Sequence, residues 1–234
     1  GHRLLVIGLD DAACTLFVLD NDREGVQVLP RAAFDASWSS AAFPQPVAYR
    51  YYDLEWPAVL PPLAPALPHA LAQTVHALDG GGTPFVAAEQ FAGAGGVGLP
   101  GLARFVAEIT AWPQHFTREE LAQALRAVYL YVEKAGTGFG GFFRGLYGRG
   151  LVEGATLVPD ATQANRYRHA GAHYEALGSA WTTFAAACRA AAPGVAADPA
   201  ATLRPLAAQA AGLLVQERAG RDLLAALAQE SAGV

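Results

Sequence analysis

The sequence predicts an α+β chain: a small antiparallel sheet, the remnant of a larger one, followed by a mainly α-helical domain. Three observations predict it. The apolar runs of the first 29 residues are short and bounded by Asp, Asn and Gly, which favours strands over helices. Pro44, Pro46, Pro57, Pro61, Pro62, Pro65 and Pro68 then mark a turn-rich connector. Beyond them the apolar residues recur at helical spacing. The boundary falls near residue 60, giving a β-containing part over 1–60 and a helical part over 61–234.

In the first part, Arg3–Leu9 is an apolar run, Asp10-Asp11-Ala12-Ala13 a turn, and Thr15–Leu19 a second run. Asp20 to Gly25 turns the chain into Val26–Leu29. The first two runs are apolar on both faces, so cover is expected on both sides, part of it from outside this chain. Tyr49-Arg50-Tyr51-Tyr52 offers a further strand.

In the second part, Leu99, Leu102, Val106 and Ile109 form one stripe of a helix expected to end near Trp112-Pro113. Thr117-Arg118-Glu119-Glu120 is a capping box, in which the Thr hydroxyl and the Glu carboxylate satisfy each other's free amides. The helix behind it carries Leu121, Leu125, Val128 and Val132, with Gly136 suited to its C-cap. A long helix places Tyr174, Leu177, Trp181, Phe184 and Cys188 on one face, and Ala192-Pro193-Gly194 breaks it. Asp198-Pro199 supplies an N-cap and a first-turn proline for a last helix striped by Leu203, Leu206, Ala210, Leu213, Leu224 and Leu227.

Composition narrows the function classes. The 234 residues are 53% hydrophobic and 16% charged, which excludes a disordered chain. A formal net charge of −5 argues against a nucleic-acid surface, which needs clustered Lys and Arg. Two cysteines, Cys14 and Cys188, cannot staple a scaffold and suit a reducing compartment. No apolar run approaches the roughly 20 residues of a membrane span, and no signal peptide opens the chain, so a cytoplasmic protein is expected. The sequence starts at Gly1-His2 and contains no methionine, as a partial reading frame or a processed product would.

Several patterns point weakly to chemistry. Gly93 to Gly98 and Gly136 to Gly141 match G-x-G-x-x-G, but neither follows a good strand, so both are expected to be loops. His169 and His173 share a helix face, yet Ala170 stands where HExxH requires Glu and no third ligand is near, so no metal is expected. Cys188 falls on an apolar stripe and reads as a small buried hydrophobe. Cys14 lies in a turn without the helix N-terminus that activates a thiol.

The best constellation is His2 with Asp20. His2 precedes the first strand and Asp20 ends the second, so antiparallel pairing brings both to one end of a hairpin. A carboxylate there fixes the imidazole tautomer and stabilises the imidazolium, half of a nucleophilic triad. Asn21 offers the same role as an amide.

His2-Arg-Leu-Leu-Val-Ile-Gly-Leu-Asp-Asp11 with Phe17-Val-Leu-Asp-Asn21 is similar to the His-to-Asp hairpin of papain-like cysteine peptidases of the bacteriocin-processing type. Glu133-Lys-Ala-Gly-Thr-Gly138, Phe143-Arg-Gly-Leu-Tyr147 and Leu151-Val-Glu-Gly-Ala155 resemble the helical C-terminal domain of the butirosin biosynthesis protein H-like family. The resemblance implies a papain-like N-acyltransferase of antibiotic-type secondary metabolism. Such an enzyme moves an acyl group from an acyl carrier protein thioester to a small-molecule amine such as an aminoglycoside. On it His2 is the general base and Asp20 or Asn21 its orienter, with no cofactor. The nucleophilic cysteine of that fold precedes the histidine and is expected upstream of Gly1. Gly136, Thr137, Gly138, Arg144 and Tyr147 become substrate-binding candidates, or else a helix–turn–helix corner with a buried Arg–Tyr contact. A cysteine peptidase of the same fold and a non-catalytic helical module, binding a carrier or forming a homodimer, are the alternatives.

Overall fold

A computed structural model describes residues 4–20, 23–40, 51, 55, 57–81, 96–134 and 141–231. The chain divides into two compact units, Gly1–Leu60 and Pro61–Val234.

The first unit is a three-stranded antiparallel sheet of order β1-β2-β3, with β1 Leu5–Asp10, β2 Thr15–Leu19 and β3 Val26–Pro30. Leu5 pairs with Leu19 and Asp10 with Thr15, and the register shifts between Val6 and Gly8, leaving Ile7 in a bulge. The Asp10 carboxylate closes the first turn by accepting from the Ala13 amide at 3.0 Å. Helix α1, Arg31–Trp38, follows directly from Pro30. The sequence reading assigned no element there, because eight residues with a single Phe34–Trp38 ring contact show too little periodicity to identify.

The expected cover on both faces of the sheet is not found within the described residues. Leu16 and Val18 of β2 are buried, while Leu5, Val6, Ile7, Leu9, Val26 and Val28 are 44–56% exposed. Three strands and one short helix have too little apolar surface to close both faces.

The second unit is helical. Its elements are α2 Ala66–Leu78, α3 Gly98–Glu108, α4 Arg118–Glu133, α5 Arg144–Gly154, α6 Ala161–Ala191 and α7 Pro199–Ser231. The α3 stripe tightens at Ile109 into a 3-10 turn, Ile109–Gln114, which contains Pro113. The capping box forms as its sequence demands: Glu120 N–H donates to Thr117 Oγ1 and Thr117 N–H to the Glu120 carboxylate. Asp198 caps α7 by accepting from the Ala201 amide at 3.0 Å.

The core runs along α6 and α7. Tyr167, Ala170, Tyr174, Leu177, Trp181, Phe184 and Cys188 of α6 are buried, a spacing that alternates three and four. On α7, Leu203, Leu206, Ala210, Leu213, Glu217, Leu224 and Leu227 are buried with the same rhythm, which keeps one seam facing its neighbour. Arg221 of α7 grips Asp79, just past α2, with Nε–Oδ1 at 2.9 Å and Nη2–Oδ2 at 2.6 Å. That fork holds the Asp79 carboxyl below its ordinary pKa.

Glycines let α5 lie directly on α6. A Cβ on Gly148 would stand 2.6 Å from the Gly171 carbonyl oxygen, and one on Gly178 would stand 2.7 Å from the Gly145 nitrogen. The two backbones touch, and only glycine permits that approach.

Candidate functional site

Of the residues singled out in sequence, His2, Asn21, Gly136, Thr137 and Gly138 lie outside the described residues, as does most of the Tyr49 to Tyr52 run. Asp20 directly follows β2 and is half-buried. Because Leu5 pairs with Leu19, the chain leaves β2 at Asp20 at the end of the hairpin where it enters β1. Arg144 and Tyr147 occupy the first turn of α5, in the helical unit.

Arg144 belongs to a polar cluster inside that unit. Glu217 of α7 is 1% exposed. Its Oε1 accepts from Arg144 Nε at 2.8 Å and from the Trp181 indole N–H at 2.7 Å, two donors from two other helices. The other oxygen, Oε2, is buried without a partner, as is the Tyr174 hydroxyl. Arg144 also donates to the Phe142 carbonyl at 3.3 Å and lies over the Phe142 ring at 5.5 Å. That ring stacks on Trp181, centroids 5.4 Å apart.

The turn that delivers Arg144 is left-handed throughout: Gly141, Phe142 and Phe143 have φ of 54°, 55° and 64°. Such φ values strain a non-glycine residue. They persist because the turn is clamped on both sides. Glu133, at the end of α4, accepts from the Gly141 amide at 3.1 Å and from Thr182 Oγ1 of α6 at 2.8 Å. Gly141 itself has no room for a side chain, since a Cβ there would stand 2.5 Å from the Gly178 carbonyl oxygen. The last glycine of the Gly136–Gly141 pattern therefore serves helix packing. Gly98, last of the other pattern, likewise presses on the carbonyls that end α2.

Tyr147 lies one helical turn from Arg144. Its ring meets Tyr174 edge-on at 5.0 Å. Burial pushes its hydroxyl pKa up, against a Thr74 hydrogen bond that lowers it. Arg144 bonds Glu217 while Tyr147 meets Tyr174, and the Arg144 charge reaches both tyrosines. Thr74 and Tyr147 line a cleft of about 390 Å³ between α2 and α5, closed by Tyr167 of α6.

Sequence reasoning missed Glu217 and Trp181 as a pair. The signal was present: the stripe on α7 runs from Leu213 to Leu224, and the step between them falls on Glu217 and Gly220. A carboxylate on an otherwise apolar seam announces a buried partner.

His173 bonds the Gln216 carbonyl with Nε2 at 2.9 Å. Among the described residues no group of three or more His, Cys, Asp or Glu is placed to hold a metal ion. No helix among them is long and apolar enough to cross a membrane.

The two thiols differ sharply. Cys14 is exposed in the β1–β2 turn at φ 51°, whereas burial pushes the Cys188 thiol up to about 12. With a thiol-reactive dye at neutral pH, the folded chain is expected to label at Cys14 alone, and the urea-unfolded chain at both. Equal native rates for the two would contradict this packing. Because the folded pKa of Cys188 lies above its ordinary value of 9.0, its contribution to stability is full below pH 9. It is lost as pH rises toward 12.

A family model described as "Domain of unknown function (DUF4872)" matches residues 33–224. The chain belongs to the DUF4872 family. No curated protein and no solved structure matches it. The span matching DUF4872 takes in the capping box, the α5–α6 glycine contact and all four residues of the Arg144–Glu217–Trp181–Phe142 cluster. It begins after the sheet, so Asp20 and the hairpin lie outside it.

Proposed function

We propose that this chain is the C-terminal portion of a papain-like N-acyltransferase that moves an acyl group from a carrier-protein thioester to an amine. The β1–β2 register supports the reading, because it brings Asp20, the orienting carboxylate, to the end of the hairpin from which β1 departs. In the reaction, a cysteine thiolate upstream of Gly1 attacks the thioester, and the carrier thiol leaves. The amine then attacks the acyl-enzyme, an amide forms and the thiolate is regenerated. His2 takes the proton from the cysteine thiol, gives it to the departing carrier thiolate and then takes the proton of the attacking amine, while Asp20 stabilises the imidazolium. With a peptide as acyl donor, an amine as the leaving group and water as the acceptor, the same site is a peptidase.

The test is acyl transfer from a carrier thioester to an aminoglycoside by the longer protein, followed by mass spectrometry. Asp20→Ala is expected to lower turnover by 10²-fold to 10⁴-fold, and His2→Ala to abolish it. Full activity in either variant would overturn the assignment. A second reading takes the helices as a module that binds a carrier or a second subunit without catalysis; it is favoured by a DUF4872 span that starts after the sheet. On that reading the intact chain captures a carrier protein equally well with and without Asp20→Ala.

A further inference from the structure

The cleft between α2 and α5 lies wholly inside the helical unit and serves neither the hairpin nor the Glu217 cluster. Its volume, about 390 Å³, falls within the roughly 300–1,000 Å³ of small-molecule sites. Leu67 and Leu71 of α2 and Leu146 and Leu151 of α5 make its walls apolar. Tyr147 and Thr74 occupy one side, and the Thr74 hydroxyl already donates to the Ala70 carbonyl at 2.9 Å, so the interior offers an apolar lodging with little polar demand.

Charge enters with Arg149 and Glu153, both exposed and both lining the cleft. Neither side chain makes an ion pair or hydrogen bond among the described residues, although one helical turn separates them. In the same unit, the guanidinium of Arg144 is taken by Glu217 and that of Arg221 by Asp79. Gly150 keeps this part of the lining open: it has no side chain, and a Cβ there would meet nothing within 4 Å.

We propose that this cleft binds a medium-chain carboxylate, its hydrocarbon tail against the four leucines and its carboxylate on Arg149. The guanidinium fork matches a carboxylate in two hydrogen bonds. Glu153 makes the local charge balance neutral before the ligand arrives, which favours a single negative charge over a phosphate dianion. The tail supplies affinity by leaving water, and the head group sets orientation. This assignment stands on the cleft alone and is independent of any acyl transfer.

The experiment titrates the intact chain with sodium octanoate by calorimetry, with octylammonium chloride and octyl phosphate as comparison probes. Saturable octanoate binding is expected, tighter than for either comparison. Arg149→Gln should weaken it about tenfold, the effect of losing one charge-assisted contact of about 1.4 kcal/mol. Glu153→Gln removes a like charge and should tighten it. Gly150→Leu fills open space and should abolish binding while leaving the melting temperature within a few degrees. Octylammonium binding as tightly as octanoate, an unchanged affinity in Arg149→Gln, or no saturation at millimolar octanoate would each overturn the proposal.

Discussion

Replacing Glu217 with alanine is expected to destabilise the protein by about 3 kcal/mol, the lower end of what breaking a buried ion pair costs. One carboxylate oxygen accepts from both Arg144 Nε and the Trp181 indole. Alanine strands both donors and leaves a cavity on the α7 seam. Arg144 is 23% exposed along its side chain, so part of its charge can recover water. Trp181 is 7% exposed, and its N–H cannot, which is why the loss remains large. Urea denaturation measures it. Glu217→Gln keeps an acceptor for the indole and should lose less. A loss below about 1 kcal/mol for Glu217→Ala would mean that the cluster behaves like a surface pair. Joint replacement of Arg144 and Glu217 by leucine should cost less than the two single changes added together, because no charge is then left alone.

Three glycines of one helix are expected to respond with opposite signs. Gly148→Ala drives a methyl group to 2.6 Å from the Gly171 oxygen and 2.9 Å from the Glu175 nitrogen. Both obstacles are backbone of α6, so α5 must lift away, at a cost of about 1–3 kcal/mol or more. Gly145→Ala and Gly150→Ala meet nothing within 4 Å. In those two the helix preference for alanine operates unopposed and should stabilise by up to about 1 kcal/mol. Gly178→Ala, whose methyl would meet the Gly145 nitrogen at 2.7 Å, belongs with Gly148→Ala. Thermal unfolding of the four variants is the measurement. A shared sign across them would show that α5 does not rest on α6 through glycine.

The sequence was most legible where structure depends on near neighbours. Thr117 and Glu120 are three residues apart and cap each other as their identities require. The strands differ from their expected bounds by a residue or two, since Asp, Asn and Gly punctuate them. Helix α1 escaped because eight residues hold barely two turns. The left-handed Gly141–Phe143 turn escaped for another reason: nothing in Phe-Phe favours positive φ, and only the grip of Glu133 and the Trp181 stack maintains it. Of the candidate site, Arg144 and Tyr147 were visible as residues but their partners Glu217 and Tyr174 were not.

By itself, then, the sequence determined that strands precede helices, which face of each long helix is apolar, where α6 ends and where α7 begins. Those properties arise from contacts within one or two turns. The tertiary structure alone decided that Glu217 meets Arg144 and Trp181, which lie 73 and 36 residues away along the chain. It alone decided that glycines on α5 and α6 meet backbone to backbone. A local pattern can show that a carboxylate is misplaced on an apolar seam. It cannot name the partner, because that partner is brought near only when distant helices bury their apolar faces against one another.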